Sequence, residues 1–449
     1  MMCATRRMPF VSVVFRLGEW DENQLPLPPR KRDGMMGEAA QPAPAGAGSL
    51  VWRRRHAFRF FLAAALSGDF AYQMQSVAVA WQVFQIRHST IDLGLVGLAA
   101  FLPTFVLALV AGYLADRHDR KTIALLAALG DMLSSIAFLS LVMLQMSSVT
   151  LYLLIILCQG TVRAIGSPAE RTLLVAIVPP DRYLAASARF SSLGQLVVIG
   201  GPAAGGALIV FGTAASFAAA AAMSTISALA LALLFVQRHV HEGHAPTLRD
   251  ALGGLRFILA SGTIAGAISL DLVAVLFGGA TALLPVYADT ILHWGPLGLG
   301  ALRSAPALGA AVTGFVLSRH PPRRRIGRTL LITVAGFGFS TIVFGLSQSP
   351  WLSLIALAFV GGTDMVSMVI RDGLVQLNTP DAMRGRVNAA EGVFIGASNQ
   401  LGAFESGMLA AAIGTVPAVV AGGVATIVVI LLWTRVFPGL RRADRYVTP

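Results

Sequence analysis

Long apolar runs recur along the sequence between about residues 57 and 437, and charged side chains are concentrated in the short gaps between them. Each run has about 20 residues or more, the length that an α-helix needs to cross a ~30 Å hydrocarbon core. In lipid the backbone must satisfy its own polar groups, and runs rich in Ala, Leu and Val do so as helices. Only 12% of the residues are charged, against about a quarter in soluble domains, so the sequence predicts an all-α integral membrane protein.

Twelve candidate transmembrane spans follow one another along the chain. The first six cover about 57–85, 91–114, 122–146, 150–172, 184–211 and 213–236. The second six cover about 262–288, 297–318, 328–347, 351–375, 387–412 and 415–437. The longest internal gap lies between the sixth and seventh spans and is charged. We therefore expect two six-helix bundles joined by a linker.

The remaining segments complete a five-part division of the chain. LPLPPRKRD and AQPAPAGAG near the N-terminus are typical of a disordered tail and do not fit a signal peptide; Met1 and Met35 or Met36 stay open as the translation start. Leucines and arginines from Leu248 to Phe257 indicate an amphipathic helix in the linker. The parts are a disordered cytoplasmic tail (1–50), an N-terminal six-helix bundle (51–236), a cytoplasmic linker (237–261), a C-terminal six-helix bundle (262–437) and a cytoplasmic C-terminal tail (438–449).

The distribution of basic residues predicts the orientation. With both termini in the cytoplasm, Arg87 is the one member of the 34 lysines and arginines in an exterior loop, as the positive-inside rule requires. The formal charge of +12 then follows from topology, and nucleic-acid binding is not indicated.

Two pairs of segments repeat between the halves. RTLLVAIVPPD (171–181) and RDGLVQLNTPD (371–381) each follow the fourth span of their half, and GYLADRH (112–118) and GFVLSRH (314–320) each follow the second. Two pairs at matching places indicate duplication of a six-helix unit. Pseudo-symmetric halves of this kind are the architecture of transporters that rock about a central site.

The stretch GYLADRHDRK resembles the signature of the major facilitator superfamily, G-x-L-a-D-r-x-G-r-k, in the loop between the second and third helices. The matching residues are Gly112, Leu114, Asp116, Arg117, Arg120 and Lys121. Asp119 replaces the usual glycine, as in the branch that contains the enterobactin exporter and macrolide-efflux proteins. SGDFAYQMQSVAVAW and TPDAMRGRVNAAEGVFIGASNQLGAFESG also resemble that branch, so the likeness extends over roughly 57–440.

The resemblance implies a monomeric, multi-pass secondary active transporter in the plasma (inner) membrane of a bacterium. Its partners would be protons, membrane lipid and a small amphipathic substrate, such as a siderophore or a drug-like compound, which it would export by alternating access without a cofactor. Uptake, or translocation of a lipid-like substrate, by the same fold stays open. A membrane enzyme or receptor is the alternative from another class.

For the signature loop, the resemblance implies a conformational gate at the cytoplasmic side. Gly112 lets helices approach closely, and Asp116 is expected at the N-terminus of the eleventh helix near Val387. The other expected gate residues are Arg117, an Arg120–Glu170 pair, and a pair formed by Arg371 and Asp372 at the end of the tenth span. The alternative is a solvated loop that only fixes topology.

A second signature lies in the fifth span, GQLVVIGGPAAGGAL. Its small residues and proline resemble the superfamily's antiporter-associated motif, and they are Gly194, Gly201, Pro202, Gly205 and Gly206. Such residues allow tight packing and a local kink. Ordinary helix packing remains the alternative to a role in antiport.

Charged and polar residues inside the spans are the candidates for proton coupling and for the cavity, because each is costly in lipid unless paired, hydrated or protonated. They are Asp69, Gln73, Asp131, Arg163, Asp271, Arg303, Asp364 and Glu405. Asp69 comes first, since the first and seventh helices line the central cavity in this fold. Glu391, near the cytoplasmic surface, is expected to be structural. Fixed pairing of each acid with Arg163, Arg303 or the backbone is the alternative.

Enzymatic and metal sites find little support. The chain has two lysines, Lys31 and Lys121, and neither belongs to a phosphate-binding G-x-x-x-x-G-K-[ST] motif. His239, His241 and His244 cluster in the linker without a cysteine or an acidic pattern. We expect a solvated histidine cluster, no bound metal and no enzymatic activity.

Overall fold

The computed structural model describes residues 56–179, 181–236 and 248–446, and within these the side chains of 108–117, 171, 248–252, 382 and 389 are not described. The predicted N-terminal tail and the linker histidines therefore lie outside the described residues. Those that are described form helices and short connections, with no β-strand among them.

The helices lie where the apolar runs predict them. In the first half they are α1 (Ala57–Arg87), α2 (Thr90–Arg117), α3 (Arg120–Met143), α4 (Val149–Ile177), α5 (Tyr183–Ile209) and α6 (Thr213–Leu233). In the second half they are α7 (Leu248–Ala260), α8 (Gly262–Phe277), α9 (Gly295–Arg319), α10 (Ile326–Leu346), α11 (Pro350–Asn378), α12 (Asp381–Ile413), α13 (Thr415–Val436) and α14 (Pro438–Arg442). The seventh predicted span is broken after α8, where Ala280–Leu283, Leu284–Val286 and Tyr287–Ile291 form short 3₁₀, α and π turns.

Ten segments of the described chain are long and apolar enough to cross a membrane. The long helices outside this set are α1 and α12, in which polar residues such as Asp69 and Glu391 interrupt the apolar sequence. Since polar side chains inside a membrane protein face the bundle interior, we expect α1 and α12 to contribute to a functional site.

The same pairs of helices pack together in both halves. In the first half α1 packs on α5 and α6, α3 on α4 and α6, and α2 on α4. In the second half α8 packs on α12 and α13, α10 on α11 and α13, and α9 on α11. This correspondence agrees with the internal repeats. The halves meet through α2 with α12 and α5 with α9, which are also counterparts.

Glycines bring the backbones of the two halves together at these crossings. A Cβ atom on Gly206 of α5 would lie 2.7 Å from Cα of Gly300 in α9. A Cβ atom on Gly407 of α12 would lie 2.8 Å from Cα of Gly94 in α2. Neither crossing leaves room for a side chain, so the helices are in backbone contact.

The two ends of the molecule differ. At the end that holds the α1–α2 connection, one apolar core spans both halves and includes Val77, Phe138, Tyr287 and Phe344. At the other end each half has a core of its own, and Leu184 near the start of α5 is 82% exposed. We call the first the closed end and the second the open end.

The predicted amphipathic helix of the linker is α7. It packs against α12, where Gly254 contacts the backbone of Arg386, and Ile258 joins a buried cluster with Val387. The linker therefore ties the start of the second half to the open end of α12.

Candidate functional site

A cavity of about 570 Å³ lies between the halves. Helices α1, α2 and α4 line it from the first half, and α9, α12 and the turn at Thr281 line it from the second. Its polar lining residues are Tyr72, Gln75, Ser76, Thr104, Gln159, Arg163, Ser167, Thr281, Arg303, Asn399 and Gln400. Apolar side chains, among them Val79, Leu93, Phe101 and Ile156, complete the wall. A cavity of this size and mixed lining suits a small amphipathic molecule.

Arg163 of α4 holds together two acids that the sequence singled out. Its guanidinium donates to Asp69 of α1 at 2.9 Å and to Asp131 of α3 at 3.0 Å, and it stacks 4.1 Å from the ring centre of Tyr72. Asp69 and Asp131 do not line the large cavity. They line a separate pocket of about 40 Å³, together with Glu170. Arg163 and Ser167 line both spaces, so Arg163 lies between the two acids and the cavity.

Asp69 and Gln73 were predicted to lie at the cavity, but neither side chain lines it. Asp69 lies one turn below Tyr72, behind Arg163. Gln73 packs against Gly201 of α5, where a glycine Cβ would come 2.5 Å from the Gln73 Cβ. The face of α1 that reaches the cavity carries Tyr72, Ser76 and Val79 instead.

A chain of polar residues that sequence reasoning missed runs from the cavity into the first half. Gln159 donates to Gln75 at 2.9 Å, and Gln75 donates to Ser135 at 3.3 Å. Ser135 in turn lies 3.2 Å from the Ser224 hydroxyl. Tyr72 and Gln75 stand three and six residues after Asp69, a helical spacing that was visible in the sequence.

The second half contains a similar cluster around Arg371 of α11. Its Nε lies 3.0 Å from Glu391 of α12, and its Nη1 contacts Asp271 of α8. Ser367 donates to Asp271 at 3.3 Å. Arg371 also lies 3.9 Å from the expected partner Asp372, which is 54% exposed, whereas Arg371 itself is only 4% exposed; a role of this pair in gating stays a prediction. The helix continues past Arg371 to Asn378, and α8 and α12 cover the guanidinium.

Two further acids of the second half lie apart from this ion pair. Asp364 lines a pocket of about 10 Å³ with Asp271, between α8, α10 and α11. That pocket is the counterpart of the one that holds Asp69 and Asp131. Asp364 forms no ion pair within the described residues. Glu405 accepts a hydrogen bond from Ser406 at 3.4 Å and lines none of the three spaces.

Arg303 of α9 lines the large cavity from the second half. The next residue, Ser304, donates across the α5–α9 contact to the carbonyl of Ile199 at 2.7 Å. No ion pair joins Arg303 to a described carboxylate. Of the fixed pairings considered as the alternative, those of Asp69 and Asp131 with Arg163 are formed, and none with Arg303 is formed in the part of the chain that the structure describes.

The predicted gate residues are only partly described. Gly112, Asp116 and Arg117 lie in the last turns of α2, and their side chains lie outside the description. Arg120, the first residue of α3, forms no ion pair with Glu170 among the described side chains. Its neighbour Lys121 donates to the carbonyl of Ala232 at 3.1 Å instead, which ties α3 to the end of α6.

The expected partner of Asp116 is also displaced. Helix α12 begins at Asp381, directly after Pro380, six residues before Val387. Val387 is fully buried in a cluster with α7 and α8, so no helix N-terminus lies there. The amide groups that would attract a carboxylate are near Asp381.

The glycines of the fifth-span motif face different neighbours. Gly205 lies against the backbone of Met74 in α1, where a Cβ would be 2.8 Å from the Met74 carbonyl. Gly206 and Pro202 face Gly300 of α9. Around Gly194 there is no atom within 4 Å of such a Cβ. Four of the five motif residues, including Gly201, thus lie at helix contacts, and a role in antiport stays a prediction.

Nearly the whole chain matches known membrane proteins. Residues 47–445 match the family model described as transmembrane secretion effector. The enterobactin exporters EntS of Shigella boydii and Escherichia coli are each 28% identical to this chain over 389 residues, which cover 86% of this chain and 93% of theirs.

Solved transporter structures share the fold. The nucleoside transporter NupG superposes with a TM-score of 0.64 at 13% identity, over 85% of this chain and 98% of that one. A bacterial homolog of the human lysosomal transporter Spinster, in an inward-facing and unoccupied conformation, superposes with a TM-score of 0.67 at 16% identity, over 88% of this chain and 99% of that one.

Proposed function

The chain belongs to the transmembrane secretion effector family of the major facilitator superfamily, and from that membership we propose that it exports a small amphipathic molecule in exchange for protons. Its family and fold are those of transporters, not enzymes, and it is a multi-pass protein of the bacterial inner membrane. The proposed substrate class is a siderophore or a drug-like compound. Support comes from the similar enterobactin exporters and from the mixed lining of the cavity.

The proposed topology has twelve crossings and both termini in the cytoplasm. Arg59, Lys121, Arg182 and Arg319 all lie at helix ends on the open side, whereas Arg87 lies on the closed side. The positive-inside rule then assigns the open end to the cytoplasm. In this orientation the cavity is accessible to a cytoplasmic substrate. Because both halves of the site are in one chain, we expect a monomer surrounded by lipid to be the working unit.

The position of Arg163 is the observation that carries the coupling mechanism. On one side it binds Asp69 and Asp131, and on the other it forms part of the cavity wall. A proton on either carboxyl weakens the ion pair and changes how strongly the guanidinium is held away from the cavity. Substrate and proton therefore act on the same side chain, which is what exchange requires.

Transport into sealed vesicles tests this proposal. Purified full-length protein would be reconstituted in proteoliposomes, and a panel of siderophores and antibiotics would be assayed with an imposed pH gradient. We expect uphill movement that a protonophore abolishes. Asp69→Asn and Asp131→Asn should each lose uphill movement while retaining downhill exchange.

A matched control is Asp181→Asn, which removes an acid that is 74% exposed and pairs with its neighbour Arg182. It should transport normally. Full uphill transport by both Asp69→Asn and Asp131→Asn would exclude this coupling site, and insensitivity to the protonophore would exclude proton exchange. Movement only towards the cytoplasm would favour uptake over export.

A further inference from the structure

We propose that Arg303 anchors an acidic group of the substrate, so that the transported compounds are amphipathic organic anions. This inference rests on the proposed function in one respect, since it takes the cavity between the halves as the substrate site. It adds the charge of the substrate and the residue that recognises it.

The charge of the cavity lining is one-sided. Among the described lining residues there are two arginines, Arg163 and Arg303, and no aspartate or glutamate. Arg163 is compensated by Asp69 and Asp131, which lie on its far side in the smaller pocket. Arg303 has no described carboxylate as a partner. One positive charge at the cavity wall therefore lacks a compensating acid.

The backbone around Arg303 is fixed, so its place at the wall does not reflect a loose helix. Ser304 donates to the carbonyl of Ile199 at 2.7 Å, and Gln195 donates to the carbonyl of Ala307 at 3.2 Å. Both hydrogen bonds cross between α5 and α9, at positions one and four residues after Arg303. A guanidinium remains charged in proteins, and inside a membrane protein it is unfavourable without a partner or water. An anion from the cytoplasm is the missing partner.

The side chains that line the cavity indicate which class of anion would bind there. A guanidinium presents a planar fork of N–H donors that matches the two oxygens of a carboxylate. The amides of Asn399 and Gln400 also line this cavity and can donate to further oxygens. Phe101 and Leu93 offer apolar contact from the first half. A carboxylate attached to an apolar or aromatic body uses all of these groups.

A binding experiment with a matched pair of probes tests the inference. Dansylglycine carries a carboxylate, and dansylglycinamide has the same body without the charge. Each would be titrated into the purified full-length protein in lipid nanodiscs, with dansyl fluorescence as the readout. We expect the acid to bind about 10- to 100-fold more tightly than the amide, the value of a hydrogen bond to a charged group.

Variants of one helix assign that preference to Arg303. Arg303→Gln should abolish the difference between the probes, and Arg303→Lys should retain only part of it, because a lysine keeps the charge but loses the fork. Arg319→Gln, at the exposed end of the same helix, should leave the preference intact. Thermal unfolding of each variant controls for folding.

The outcomes separate this inference from the proposed function, because binding needs no proton gradient and no direction. Equal binding of the two probes, binding of neither, or a preference that survives in Arg303→Gln would overturn the anion anchor. Acid preference without proton-driven transport would leave the anchor standing and refute the exchange. Proton-driven export of neutral compounds, with no acid preference, would support the exchange and refute the anchor.

Discussion

Replacing Arg371 by glutamine removes the one cation from a buried group of acids and should strongly destabilise the second half. Arg371 is 4% exposed, and its partners Asp271 and Glu391 are each 9% exposed. Without the guanidinium, two carboxyl groups stay buried with no opposite charge. Breaking such a pair from one side costs about 3–5 kcal/mol.

The first half provides the comparison. Arg163 is 27% exposed, and its partners Asp69 and Asp131 are 47% and 16% exposed, so water solvates this cluster better than the cluster around Arg371. We therefore expect Arg163→Gln to cost less than about 2 kcal/mol, between the values for surface and buried pairs. The two variants remove the same chemical group from two clusters of one arginine and two acids, and the clusters differ in burial.

Thermal unfolding in detergent measures the difference, with tryptophan fluorescence as the readout because Cys158 is exposed and would react with a thiol dye. At about 2–4 °C per kcal/mol for a unit of this size, Arg371→Gln should lower the melting temperature by roughly 6–20 °C. The double variant Asp271→Asn with Arg371→Gln should recover part of the loss, since it removes one of the two carboxylates that the single variant leaves without a partner. An equal or larger fall for Arg163→Gln would refute the reasoning from burial.

Two further predictions concern the contacts between the halves. Gly206→Leu should lower the transport rate at normal expression, because a side chain there meets Pro296 and Gly300 within 2.7 Å and holds the closed end apart. Gly194→Leu, with no atom within 4 Å of its Cβ, is the control, and equal rates for both variants would contradict a tight seam. Asp116→Asn should impair transport with expression intact, measured in the same vesicles; an unchanged rate would remove Asp116 from the gate.

Much of the fold was predictable because lipid imposes a length on each helix. All the predicted spans coincide with helical segments, and the internal repeats anticipated the matching packing of the halves. The break between Phe277 and Gly295 was not anticipated. Short 3₁₀ and π turns keep the apolar composition of a span, so hydropathy does not mark them, although Gly278 and Gly279 were visible there.

The charged residues of the site could be selected from the sequence, but their pairing could not. Asp69, Asp131 and Arg163 stood out because charges are costly in lipid, whereas their meeting depends on three helices packing side by side. Arg371 and Glu391 were placed at the surface by counting along single spans. They lie ten residues on either side of Asp381, where the chain reverses, and this brings them to one level of the bundle. Their burial depends on α8, a third helix far away in sequence.

The helix crossings at Gly206 and Gly407 can act as pivots, because long stretches of α5 and α12 extend beyond them. From Gly206 to the start of α5 at Tyr183, the helix extends for about 35 Å at about 1.5 Å per residue. At such a contact the backbones touch without interlocking side chains, so the two helices can change their crossing angle. If α5 tilts by about 15° at that point, its far end moves by about 9 Å, close to the width of a helix. The alternating access that we propose would then need only a small change at the closed end to open a passage for a small molecule at the other end.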